Sequence, residues 1–111
     1  MPAHPLDGTT ICAVSTPPGR GGVAVVRVSG PNAWGAVNGL CGGRLEGATP
    51  GKAVLRQLVD GDRPLDEALL LPFKGPKSFT GEDVVECHIH GSPYIARRLM
   101  ECLIDAGCRA M

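Results

Sequence analysis

Glu86, His88 and His90 recur at every second residue of VVECHIH, and Arg27 interrupts the apolar run VAVVRVS. Their types and spacing are the ones in this chain that could do chemistry. In an extended strand side chains alternate between faces, so Val84, Glu86, His88 and His90 share one face, and Val85, Cys87 and Ile89 the other. By the same alternation Arg27 lies with Val23, Val25 and Ser29, while Ala24, Val26 and Val28 point away. A carboxylate accepts two parallel N–H donors, so a strand-borne glutamate can read the guanidine-like edge of a heterocycle such as a pterin. Glu86 is equally placed to pair with Arg27 or to face water. Arg27, in so apolar a strand, must reach solvent, pair with a carboxylate or serve a ligand, because an unpaired buried charge is costly.

Other chemistries fit less well. His88 and His90 with Cys87, Cys102 and Cys108 invite a zinc reading, but Cys87 points away from the histidines and no CxxC or HxxxH spacing occurs. No Ser/His/Asp or Cys/His constellation has supporting order for nucleophilic catalysis. TPPGRGG (residues 16–22) looks like a phosphate-cradling loop, yet it lacks the Gly-Lys-Ser/Thr ending of a P-loop and leads into a strand rather than a helix. Its glycines fit a plain loop with a solvated Arg20, or one packed closely against a ligand or a second subunit.

These residues need strands to hold them. Thr10–Thr16 reads as a short strand, and the near-continuous β-branched run Val23–Ser29 suits a strand buried on both faces. Ser29-Gly30-Pro31 reads as a helix start with Pro31 at the first helical position, followed by an apolar stripe of Ala33, Val37 and Leu40. Residues 41–52 are Gly-rich loop. Residues 53–59 and 67–73 read as strands joined through Asp60-Gly61-Asp62, and Val84–His90 as a further strand. Ser92 caps a second helix, with Ile95, Leu99, Cys102, Leu103 and Ala106 facing the core and Arg97, Arg98, Glu101 and Asp105 outward; Gly107 stops it. The order is mixed, hence an α+β fold, a mixed β-sheet covered by two main helices.

The 111 residues suffice for one domain, with 43% hydrophobic and 20% charged residues. Eleven basic and eleven acidic residues give no net field to recommend nucleic acid as a direct partner. The longest apolar runs, such as Ala68–Leu71, are four residues and too short to span a membrane. Five scattered cysteines without a secretory signal favour reduced thiols in a cytosol. Residues 1–8 read as a flexible N-terminus, and the ending after Gly107 reads as the beginning of another segment of a longer chain.

TPPGRGGVAVVRVSGPNA (residues 16–33) and PLDEALLLPFKGPKSFTGEDVVECHIHGSP (residues 64–93) resemble the N-terminal domain of the MnmE/TrmE tRNA-modification GTPases. The likeness covers about residues 9–110, with residues 41–60 matching in general character only. It departs from the family pattern where Ser92-Pro93 follow Gly91, although Ser92 still makes a good cap. The resemblance implies a tetrahydrofolate-binding fold that forms a homodimer and takes 5-formyl- or 5,10-methylene-tetrahydrofolate as one-carbon donor. It implies that Arg27 and Glu86 contact the folate and that Arg20 helps shape the site or the dimer contact. It further implies a cytoplasmic parent that works with an FAD-containing MnmG/GidA-type partner on carbon 5 of the wobble uridine of tRNA. GTP, Mg and K would belong to a GTPase domain absent here, as would the helical domain and the terminal catalytic cysteine, so this segment is not expected to be catalytic alone.

Overall fold

The computed structural model describes residues 8–15, 22–78 and 80–111. The expected flexible start, up to residue 7, and most of the TPPGRGG loop, Arg20 included, lie outside the described residues.

Six strands and two helices follow one another: β1 (Ile11–Val14), β2 (Val23–Ser29), α1 (Ala33–Leu40), β3 (Val54–Asp60), β4 (Arg63–Phe73), β5 (Val84–His90), α2 (Pro93–Asp105) and β6 (Arg109–Ala110). They make one sheet in the order β3-β4-β5-β2-β1-β6. Every neighbouring pair is antiparallel except β1 and β6, which run parallel, so the sheet is mixed as expected. After Gly107 the chain enters β6 beside β1: Arg109 N–H donates to the Thr10 carbonyl and Met111 N–H to that of Cys12.

The apolar residues explain which side the helices cover. Cys12, Ala24, Val26, Val28, Ala68, Leu70, Val85, Cys87 and Ile89 lie on one face, packed in a single cluster with Ala33, Ala36 and Val37 of α1 and Ala96, Leu99 and Leu103 of α2. The opposite face is open. Val23, Leu55 and Leu69 on it are 58%, 54% and 42% exposed. The reading of β2 as buried on both faces is therefore corrected. Its β-branched content reflects strand propensity and one-sided burial, and the alternation is masked because Val25 and Val23 occupy open-face positions.

Both helices start close to where the sequence places them. Ser92 Oγ accepts from Ile95 N–H and Pro93 occupies the first turn. Gly107 leaves the helix at φ +103°, a conformation L side chains avoid. The first helix begins at Ala33, two residues later than expected, because Pro31 and Asn32 form a turn after Gly30 (φ +137°). Gly30 has no substitute there, since a Cβ would lie 2.6 Å from the Thr10 Cα. Ala106 is exposed rather than part of the apolar face of α2, whereas Ala96 is buried. Arg98, expected outward, lies along the surface and clamps β3: Nε and Nη2 donate to the two Asp60 oxygens at 2.6 and 3.0 Å. The Gly-rich loop hides a core residue, Leu45, because the Asn38 side chain accepts from the Leu45 and Glu46 N–H groups and turns the chain inward.

One-sided burial makes a sharp contrast between adjacent residues of β4. Leu70→Ala should lower unfolding free energy by ~2–5 kcal/mol, whereas Leu69→Ala should cost under ~1 kcal/mol, by urea denaturation. Equal losses would mean that both faces are buried.

Candidate functional site

The antiparallel register of β2 with β5 sets Arg27 opposite Glu86, Val25 opposite His88 and Val23 opposite His90. On the other side of β5, Leu71 faces Glu86 and Leu69 faces His88. Directly opposed side chains sit about 5 Å apart at Cβ, so the open face is a set of short cross-strand rows. The row Ala13–Arg27–Glu86–Leu71 carries the charge, and Val25–His88–Leu69–Leu55 lies beside it.

Arg27 Nη2 donates to Glu86 Oε2 at 2.8 Å and its Nε to the same oxygen at 3.3 Å. His88 Nε2 lies 3.2 Å from Oε1 and donates, since an ionised carboxylate only accepts. The pair is half-buried, with side chains 30% and 18% exposed. Burial pushes the Glu86 carboxyl up, but the bonds from Arg27 and His88 outweigh it and hold the group below the ordinary glutamate range. Glu86 is thus an anion at neutral pH.

One end of this row is walled by the loop after β4. Gly75 N–H donates to Asp83 Oδ1 at 3.0 Å and Gly30 N–H to the Asp83 carbonyl at 2.9 Å, tying the loop to the start of β5 and the end of β2. Ser78 Oγ donates to the Glu82 carbonyl across the same turn. Ser29 Oγ meets Thr80 Oγ1 at 3.0 Å and donates to Glu82 Oε1 at 3.3 Å. Ser29 and its partner Val84 are consequently buried although they share the parity of the open face. Residues 75–78 and 80–83 therefore form a wall, in which Ser78, Thr80, Glu82 and Asp83 make structural hydrogen bonds.

The structure brings Arg27 and Glu86 together. Arg20 lies outside the described residues. His88 contributes through Glu86, a role the spacing alone did not single out; the signal was the i, i+2 spacing on one strand face. Cys87 points into the core, away from both histidines, as alternation requires. Burial pushes its thiol up to about 12, and all five cysteines are free and buried. A thiol raised as that of Cys87 is makes a poor nucleophile. Among the described residues no group of three His, Cys, Asp or Glu side chains is placed to hold a metal ion, and no helix is long and apolar enough to cross a membrane. A cavity of about 500 Å³ lies away from this face against Trp34, Asn38, Leu45 and Lys74. There Trp34 Nε1 donates to the Phe73 carbonyl, and the Lys74 ammonium sits 4.2 Å over the indole.

Fold and site together define an α+β domain whose helices cover one sheet face and whose other face presents a central arginine–carboxylate–histidine row. The family model for the GTP-binding protein TrmE N-terminus matches residues 10–111, and the chain belongs to that family. It is 47% identical over 111 residues to the tRNA modification GTPase MnmE of Porphyromonas gingivalis, covering 96% of this chain and 23% of the relative. To the MnmE of Paracoccus denitrificans it is 52% identical over 100 residues, 90% of this chain and 23% of the relative. To that of Alkalilimnicola ehrlichii it is 53% identical over 100 residues, 89% and 22% respectively. The chain thus spans less than a quarter of the length of these relatives.

The depressed Glu86 pKa fixes a sign. Its contribution to stability is complete above the ordinary glutamate pKa and is lost as pH falls through the lower, folded value. Glu86→Gln should flatten the loss of stability on acidification below about pH 4.5 relative to the parent. In a double-mutant cycle with Arg27→Met, the pair should show coupling of about 1 kcal/mol at pH 7, by chemical denaturation. A steep acid limb unchanged in Glu86→Gln would show that the carboxylate is not held by this row.

Proposed function

We propose that this chain is the folate-binding and dimerisation domain of a tRNA-modification GTPase. The observation that carries the reading is the ionised Glu86 on the open sheet face. Arg27 and His88 fix its rotamer, and Oε1, which takes one bond where Oε2 takes two, retains acceptor capacity. An anchored carboxylate of this kind accepts the amino and ring N–H pair of a pterin edge, and Arg27 supplies the neighbouring positive charge. Arg20 would help shape the site or the dimer contact. A bound 5-formyl- or 5,10-methylene-tetrahydrofolate would supply the one-carbon unit, and the chain's own residues would bind and orient the heterocycle.

For the parent protein, the relatives' name of tRNA modification GTPase supports a role in tRNA modification, and the family resemblance implies a cytoplasmic homodimer. We propose that it acts with an FAD-containing MnmG/GidA-type partner on carbon 5 of the tRNA wobble uridine. GTP hydrolysis, with its Mg and K, would belong to parts of the relatives beyond the length matched here, since this sequence has no P-loop.

One observation favours a second reading. Both Glu86 oxygens already have protein partners, which suits a ligand-free dimerisation module in which Arg27 and Glu86 are a structural ion pair. Calorimetric titration with 5-formyl-tetrahydrofolate separates the two. Binding by the folded parent that falls at least about tenfold in Glu86→Gln, the equivalent of ~1.4 kcal/mol, supports the folate site. No heat, or undiminished affinity in the variant, supports the structural module.

A further inference from the structure

The zero net charge of the chain conceals an uneven distribution of lysines. All three, Lys52, Lys74 and Lys77, fall on residues 50–52 and 73–77, and the Gly51 N–H holds these segments together by donating to the Pro72 carbonyl at 2.7 Å. Two cavities open beside them. The first is the one of about 500 Å³ against Trp34, Asn38 and Leu45; the second, about 460 Å³, is bounded by Phe73, Pro76 and Lys77. Pro50 and Lys74 line both, so the two adjoin in one groove. Each is of the size that holds a small molecule.

The hydrogen-bonding groups left over on this groove are mostly donors. Asn38 Oδ1 accepts from the Leu45 and Glu46 N–H groups at 2.8 and 3.0 Å, which fixes the orientation of the amide. Its Nδ2 has no partner among the described residues, and it is open to solvent, because no buried side-chain nitrogen or oxygen there lacks a bond. The half-exposed Lys74 side chain makes one long contact, 3.6 Å, to Asp83 Oδ2, and its ammonium rests on the indole. Its other N–H donors are unspent. Lys77 is exposed and makes no ion pair among the described residues. Trp34 Nε1 is already bonded to the Phe73 carbonyl, so the indole serves as a fixed apolar wall. Glu46, the one carboxylate among the described lining residues, stands at the Asn38 end.

We infer that this groove binds a nucleotide, with the base against Leu45, Pro50 and the indole, and the phosphate at Lys74 and Lys77. The apolar floor selects a flat ring, and an aromatic base fills it with little loss of rotamer freedom. Asn38 Nδ2, a donor only, suits the ring-nitrogen and carbonyl acceptors of a base. Two ammonium groups act as point charges and suit a phosphate, whereas a planar carboxylate is better matched by an arginine fork. Glu46 repels an anion from the Asn38 end, so the charge gradient along the groove sets the direction of the ligand. A free nucleotide and a nucleotide of single-stranded RNA share this chemistry. The inference is independent of the Glu86 reading.

Trp34 is the only tryptophan of the chain, so its emission reports this groove. Titration of the folded chain with adenosine 5′-monophosphate should change that emission saturably, with the same affinity by calorimetry. Adenosine and inorganic phosphate, the two halves of the probe, should each bind at least about tenfold more weakly. The double variant Lys74→Gln, Lys77→Gln, checked for folding by circular dichroism, should lose at least about tenfold in nucleotide affinity. Arg97→Gln, which removes an exposed positive charge on α2, should leave that affinity unchanged. An adenosine RNA trinucleotide that binds more tightly than the monophosphate assigns the groove to RNA; equal or weaker binding assigns it to a free nucleotide. Phosphate that binds as tightly as the nucleotide, undiminished affinity in the double variant, or calorimetric binding with unmoved Trp34 emission overturns the site. So does the failure of every probe to bind.

Discussion

Everything on the open face depends on the pairing of β2 with β5. Seven consecutive residue pairs run from Val23–His90 to Ser29–Val84 without a bulge. Side chains in a strand alternate with period two, so a slip of one residue would turn Arg27 and the Glu86 row into the core and expel Val26, Val28, Val85 and Cys87. The apolar cost of that exchange fixes the register. The register in turn places the guanidinium against the carboxylate. Core packing and site geometry are one constraint.

The same constraint explains why an arginine is tolerated in so apolar a strand. It is neither buried nor free, but lies across the sheet against an anion that two cationic or donor groups hold ionised. A half-buried pair of this type adds modest stability, because desolvation offsets much of the attraction. Its stronger consequence is positional: Glu86 is fixed from both sides, so the orientation of this acceptor is already set. Preorganisation costs the fold little here, since a rigid central strand carries the carboxylate and the wall built on Asp83 closes one end.

Much of this was legible in the sequence. Strand alternation separated Glu86, His88 and His90 from Cys87, and Ser92-Pro93 and Gly107 marked the ends of the second helix through cap chemistry that is local in the chain. What alternation could not show was the number of covered faces. VAVVRVS looks doubly buried because valine serves an open sheet face as well as a core. Leu45 escaped notice because its burial depends on Asn38 seven residues earlier turning a Gly-rich loop inward. Asp66 escaped for a related reason: its partner His90 is 24 residues away, and Asp66 sits beside the register shift of β4 against β3. Long-range pairings set by bulges leave no periodic trace.

The chain belongs to the family of GTP-binding protein TrmE N-termini, and the folate proposal rests on the open face. The most direct test is a nitrogen-15 amide shift titration of the folded protein with 5-formyl-tetrahydrofolate. Saturable shifts confined to β2, β4 and β5 around Arg27, Glu86, His88 and His90, with the amides of α1 and α2 unmoved, are the expected result. Shifts centred on the Trp34–Lys74 cavity, or none at saturating ligand, would contradict it.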